Sequence, residues 1–426
     1  MKSHLSSLLV LGALCATPHL CSAANSPLAF HGSISATAAI SDTYNYLGDT
    51  KDSLDLNVIE LTLNSSYRFK NGLRAMAQVY AYQLEGYNDI LIDFANLDWQ
   101  QNEQFGVRLG YTKTPSGFYN EVLDLDSIRP MASLPTMAYP KGFRPIANNY
   151  LGLGTYGTFS SEKAGSLEYN FYVGTKDKVK GDSNMLRTQS SGGLLRIEEV
   201  SFKEVYGGSL IWNTPVEGLR AVFTCGVYPK LSIKGRVWTA QEMAYQPSDN
   251  RMAPQQVGVT TWNTYLANTP GSMKVDYLTW HTGLEYTWKD FVFAAEYSQT
   301  NTDILLTSAV TGPNPKPSEG RSDNFYVMGS WQVNRKFSVG AYYGEDFPDR
   351  NDRSGSTQLA VPAHTNYTRD LAIGGSYALT EWWQVKLEHH FFSGTSLIHN
   401  NGNWNGNPGT WAKNWNYFVL KSTISF

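Results

Sequence analysis

The 426-residue chain carries 34 Lys and Arg against 37 Asp and Glu, a formal charge of −3. That balance excludes the basic surface a nucleic-acid partner requires. The 26 Tyr, 19 Phe and 12 Trp sit in a chain whose mean hydropathy is only −0.34, and no stretch beyond the leader approaches the ~18 consecutive apolar residues of a membrane-spanning helix.

Residues 1–23 have the order of a secretory signal peptide. A short start with one base, Lys2, is followed by an apolar run from Leu8 to Leu14 and the small-residue exit Cys21-Ser22-Ala23-Ala24. The run is too short to cross a bilayer. Leu14 and Leu20 precede Cys15 and Cys21, where a lipid-attachment site asks for a small residue, which speaks against a lipoprotein. Cleavage removes Lys2 and two of the three cysteines, moving the formal charge from −3 to −4 and leaving Cys225 alone. No internal disulfide is then expected, despite an oxidising destination. The remainder, 24–426, is one exported domain without a membrane helix: periplasmic, secreted, or a barrel in the outer membrane.

Period-two alternation decides among the three. From Ile59, one face carries Ile59, Leu61, Leu63, Ser65, Tyr67 and Phe69, the other Glu60, Thr62, Asn64, Ser66 and Arg68. Asn71-Gly72 follows, a strong hairpin signal that predicts a two-residue turn with both residues at positive φ. The return strand alternates again, with Leu73, Ala75, Ala77, Val79 and Ala81 on one face. In chain order the pattern predicts strands over 29–40, 54–69, 73–85, 90–99, 105–113, 150–160, 166–176, 200–213, 218–236, 273–288, 291–305, 321–333, 336–346, 365–379, 382–395 and 412–426. About sixteen strands, many of ten or more residues, suit a bilayer-spanning antiparallel barrel better than a soluble sandwich with its strands of about five or six. Tight turns at 71–72, 100–104, 161–165, 214–218, 289–290, 334–335 and 380–381 alternate with long connections. These are 41–53, 114–149, 177–199, 237–272, 306–320, 347–364 and 396–411, with 86–89 the short exception. Short periplasmic turns and long external loops are the outer-membrane asymmetry. Phe69, Trp99, Phe105, Trp212, Trp288, Phe291, Trp331, Phe337 and Trp383 all fall near the short turns, where an interfacial aromatic girdle belongs.

The last strand places Phe426, Ile424, Leu420 and Phe418 in one phase with Ser422. This resembles the carboxy-terminal signature that outer-membrane assembly machinery reads, an edge strand recognised by its backbone and alternate side chains. Phe418, Ile424 and Phe426 are the candidate assembly signal. Residues 108–121, Arg-Leu-Gly-Tyr-Thr-Lys-Thr-Pro-Ser-Gly-Phe-Tyr-Asn-Glu, leave the fifth strand through a Gly and a Pro-x-Gly turn. The whole is similar to the sixteen-stranded, general-diffusion porins of Gram-negative outer membranes. The resemblance implies a homotrimer in the outer membrane, in contact with lipid and lipopolysaccharide, with the third external loop, 114–149, folded inward as a constriction. It implies no enzyme activity and no cofactor, and passage of small hydrophilic solutes and ions through a water-filled channel.

In such a channel, selectivity comes from the bore and from the charges at its narrowest point. The third loop offers Glu121, Asp124 and Asp126 with the bases Arg129, Lys141 and Arg144. Across from the acids, Arg108, Lys386 and Lys421 occupy the lumen phase of their strands; each could equally be a solvated lumen charge without control over permeation. Arg68 and Arg74 also point inward, beside the short-turn mouth. Phe118, Tyr119, Tyr139 and Phe143 are expected to be feet anchoring the loop to the wall, or else a sugar-stacking slide. His389 and His390 are adjacent on a strand, so they point to opposite faces and share no metal site. A substrate-selective porin for anions such as phosphate or for sugars, a surface adhesin, and a barrel hydrolase are the competing functions.

Overall fold

Side chains that alternate in polarity make a strand with one face for lipid and one for water. Such strands form and close here. The computed structural model describes residues 27–84, 87–126, 129–140, 148–180, 195–237, 269–308, 312–357, 362–398 and 411–426; the expected signal peptide lies outside the described residues. The strands are β1 Leu28–Ser41, β2 Asp55–Arg68, β3 Leu73–Leu84, β4 Tyr87–Gln100, β5 Gly106–Lys113, β6 Asn149–Ser161, β7 Gly165–Thr175, β8 Val179–Lys180, β9 Leu195–Ser201, β10 Val205–Asn213 and β11 Leu219–Val237. They continue with β12 Pro270–Trp288, β13 Phe291–Ser308, β14 Gly312–Gln332, β15 Phe337–Phe347, β16 Thr368–Ala378, β17 Trp383–Gly394 and β18 Asn414–Ser425. β8 and β9 form an outlying hairpin. The remaining sixteen pair with their neighbours in sequence, β7 pairs with β10, and β18 returns to β1, so an antiparallel barrel closes.

The outer surface is apolar where a soluble protein would be polar. Leu109 is 57% exposed and Ile373 52%, while the lumen-phase Lys386 and Lys421 are 0% and 3% exposed. Each large apolar side chain kept from water is worth about 1.5–3 kcal/mol, so this surface calls for lipid. Near the short turns the aromatics stack on one another. Phe291 lies 5.9 Å from Trp288 and 5.6 Å from Trp331, centroid to centroid.

Three expectations need correction. The predicted strand 200–213 is two strands, and β9 leaves the wall to pair with the upper end of β11, Ser232 opposite Ser201 and Val237 opposite Leu195. The connection expected at 306–320 is mostly strand, because β13 and β14 run on together to Ser308 and Gly312. β15 pairs with β14 only from Asp323 onward, so among the described residues the upper part of β14 is an edge there. An edge tolerates Pro313, Pro315 and Pro317, whose missing N–H groups break no ladder on that side. The turn at Asn71-Gly72 spans three residues, with Phe69 N donating to Leu73 O (2.8 Å). Only Gly72 has a positive φ, +82°; Asn71 instead accepts a hydrogen bond from Leu73 N at 3.3 Å.

Closure involves the final residue directly. Gly32 N donates to Phe426 O (2.8 Å) and Phe426 N to Gly32 O (2.9 Å), and the ladder continues through Ala38 opposite Leu420. The Phe426 ring lies over Gly32, where an added Cβ would stand 2.6 Å from its Cζ and 2.7 Å from Thr62 O. Gly32→Val is therefore expected to weaken the seam by about 1–3 kcal/mol, as overpacking does. Phe426→Ala should weaken it less, by removing only the ring. Urea unfolding of the reconstituted barrel, followed by its heat-modifiable gel mobility, checks the order of the two.

Candidate functional site: the third loop inside the barrel

The loop between β5 and β6 turns into the lumen at Gly117, whose φ is +60°. A Cβ there would lie 2.3 Å from both Glu296 Oε2 and Tyr139 Oη, so this approach to the wall requires glycine. Gly117 N donates to Thr224 Oγ1 on β11 (3.2 Å). At the base, Thr114 N donates to Asn148 O (2.8 Å), closing the neck.

From there the loop docks on three parts of the wall. On β12–β14, Glu296 accepts hydrogen bonds from Tyr139 Oη (2.6 Å), Phe118 N (3.3 Å) and Tyr326 Oη. Beside it, Glu285 accepts from Tyr119 Oη and from Arg220 Nε (2.8 Å). Phe118, Tyr119 and Tyr139 are thus feet, as expected, but the two tyrosines are held by carboxylates as well as by packing; Phe143 lies outside the described residues.

On β15–β17, Glu388 accepts from Ala132 N (2.6 Å), Ser133 N (3.2 Å) and Ser133 Oγ. His390 stands between Glu388 (2.6 Å) and Asp370 (2.9 Å), and Tyr342 Oη donates to Asp370 (2.6 Å). Gly344, in the lumen phase of β15, leaves room for the Met137 sulfur, which a Cβ would meet at 2.6 Å. His389 points the other way and packs on Phe391, ring centroids 4.2 Å apart.

The third contact is ionic. Asp126 meets Lys421 Nζ at 2.6 Å and Arg129 Nη2 at 2.8 Å, with Lys386 Nζ at 4.0 Å. Thr423 Oγ1 donates to the same carboxylate (2.9 Å). Lys386 Nζ also donates to the carbonyls of Asp126 and Met131, and Lys421 bridges to Glu60 at 3.1 Å. Burial alone would push the Asp126 carboxyl up, but Lys421, Arg129 and Lys386 outweigh it and hold it below the usual carboxylate range. Asp124 pairs apart from this knot, with Lys113 (2.7 Å) and Gln78 (2.7 Å).

Of the charges expected at a constriction, Asp126, Arg129, Lys386 and Lys421 come together, but in direct contact and buried; they do not face each other across an opening. Arg108, on β5, and Glu121 meet apart from this knot. Arg108 Nε lies 3.1 Å from Asp98 and its Nη1 3.9 Å from Glu121, with the guanidinium over the Tyr156 ring. Arg74 joins the same Asp98 at 3.4 Å. Asp98 is buried, but Arg74 and Glu121 keep water contact, their side chains 37% and 47% exposed, as does Arg220 beside Glu285 at 35%. Lys141 and Arg144 lie outside the described residues.

No family model matches the chain, and no curated protein matches it in sequence. Solved structures do match its backbone over 94% of its length. The outer-membrane expressed OmpT of Vibrio cholerae matches at a TM-score of 0.55 and 12% identity, with 97% of that chain covered. OmpF of Salmonella typhi, in complex with daunomycin, matches at 0.53 and 12%, again with 97% of that chain covered. The anion-selective porin from Comamonas acidovorans matches at 0.52 and 11%, with 99% of that chain covered. The chain has the fold of the sixteen-stranded porins.

Within this porin fold, the residues that sequence reasoning missed are the wall acids Glu285, Glu296, Glu388 and Asp98. All sit in the lumen phase, and the same alternation that singled out Arg108 would have found them had acids been sought beside bases.

Removing the centre of the ionic knot takes from Arg129 and Lys386 their shared carboxylate and leaves Lys421 with Glu60 alone. Asp126→Asn is expected to cost about 3–5 kcal/mol, the range for breaking a buried pair from one side. Because the folded Asp126 carboxyl titrates below its unfolded value, its contribution is complete above the unfolded value and fades as pH falls through the lower folded one. Thermal unfolding of the two proteins should thus differ by a constant amount from pH 7 to about 4 and converge only below that.

Proposed function

We propose that the chain is an outer-membrane porin. It is exported by a cleaved leader, assembles as a homotrimer, and lets small hydrophilic solutes and ions diffuse through a lumen narrowed by its third loop. Sixteen strands leave more bore than wall side chains can fill, and a loop fixed inside the barrel reduces that bore without closing it by a core. The observation that carries the proposal is the unequal exposure of the lumen charges. Asp126, Lys386 and Lys421 are buried in the loop clasp, while Arg74, Arg108, Arg220 and Glu121 keep contact with water. Arg108 and Glu121 are the residues we assign to the selectivity of the open path, with Asp124, Asp126, Arg129, Lys386 and Lys421 holding the loop that defines it. Phe418, Ile424 and Phe426, at the lipid-facing seam, are the signal for assembly machinery, and the apolar belt meets lipid and lipopolysaccharide.

Single-channel recording of the purified protein in planar bilayers tests this, and an absence of discrete conductance steps would refute it. In a KCl gradient, Arg108→Ala is expected to lower the chloride-to-potassium permeability ratio about two- to threefold and Glu121→Gln to raise it by a similar factor. That is the combined Boltzmann weight, of opposite sign on the two ions, of one charge felt at ~14 Å through water. Reversal potentials give both values.

A further inference from the structure

Beneath the third loop, on the side of the short turns, lies a cavity of about 220 Å³. The strand residues in its lining include Arg220, Glu285, Val292 and Ser330, from the ends of β11 to β14 nearest those turns, together with Ala341 and Tyr342 of β15. An apolar cavity of ~150 Å³ admits benzene, so this one has room for a ring with a small substituent.

Its lining divides into two chemistries. Val122, Met131, Leu134 and Met328 supply flexible apolar surface, suited to a ring or a short alkyl chain. Arg129 and Arg220 supply two guanidinium groups against one carboxylate, Glu285. Neither arginine has a carboxylate to itself. The partner of Arg129, Asp126, also holds Lys421 at 2.6 Å and stands 4.0 Å from Lys386. The partner of Arg220, Glu285, also accepts from Tyr119 Oη. A ligand with an apolar body and one negative charge would cover the first chemistry and balance the second.

We infer that this cavity is a binding site for small amphipathic organic anions, aromatic or short-chain carboxylates, held on the short-turn side of the third loop between Arg129, Arg220 and the Met131–Leu134–Met328 surface. The inference rests on the porin proposal only for the cavity's access from the lumen. A solute released past the loop would meet this site before leaving the barrel.

Isothermal titration of the full-length barrel in detergent tests it directly, with benzoate, benzyl alcohol and acetate as probes. Benzoate is expected to bind at one site per chain, with acetate and benzyl alcohol each about tenfold weaker or more, since one lacks the apolar body and the other the charge-assisted hydrogen bond. Arg220→Gln should bring benzoate down to the level of benzyl alcohol, and Met328→Trp, which fills the apolar side, should abolish both. Gel mobility certifies that each variant is folded, and should one fail, the other decides alone. Benzoate binding no tighter than acetate or benzyl alcohol, or unchanged in a folded variant, overturns the inference. Conductance steps without benzoate binding would leave the porin proposal standing and remove the site; benzoate binding without steps would do the reverse.

Discussion

Lipid offers no hydrogen-bond partner, so a sheet that crosses it must pair every strand on both sides. For this chain the demand is met at one seam, where β18 returns to β1 and Phe426 exchanges backbone hydrogen bonds with Gly32. Everything else follows from that closure. It turns the apolar phase of each strand outward and the polar phase inward, and with sixteen strands it makes a lumen wider than side chains can fill. A wall lined with unfilled polar groups is what the third loop enters.

Apolar packing holds only part of the loop in such a place, with Leu123, Leu134 and Tyr139 against Tyr326 and Met131 and Met137 against Tyr342 and Ala372. The lumen phase presents Glu285, Glu296 and Glu388 from β12, β13 and β17 and Lys386 and Lys421 from β17 and β18, and the loop answers each sign with its opposite. To the acids it brings donors, the hydroxyls of Tyr119, Tyr139 and Ser133 and the amides of Phe118, Ala132 and Ser133. To the bases it brings one carboxylate, Asp126, and two carbonyls. Burying so many charges is costly, and the cost is offset because nearly every lone pair and proton finds a partner. The packing that accompanies this is local, as where Met137 sits against Gly344.

The barrel was legible in the sequence because its rule is a period of two and each strand repeats it. The phases of Arg108, Lys386 and Lys421, the inward turn at Gly117 and the tyrosine feet all follow from that rule or from the porin resemblance. What the alternation could not show is distance across the lumen. It places Asp126 and Lys421 on surfaces that face each other, and only the loop's path decides whether water or a contact lies between them. The split of 200–213 and the strand through Pro313, Pro315 and Pro317 were hidden for a related reason. Both depend on which neighbour a strand has, and an edge that pairs on one side tolerates residues that a central strand does not.

The division of labour among the charges also explains why composition says little about what such a channel prefers. A formal charge of −3 over the whole chain sums groups that are already neutralised against each other with groups that meet water. Asp126 with its three cations, Asp124 with Lys113, and His390 between Asp370 and Glu388 are internal to the clasp. Their fields largely cancel at a distance, and their work is to keep the loop in place. In the porin reading proposed above, the field along the open path is left to a few groups apart from the clasp, Arg74, Arg108 and Glu121, with Arg220. There Asp98 is shared by two arginines and Glu121 stands 3.9 Å from one of them, so a single substitution changes the local balance by a whole charge while barely moving the total.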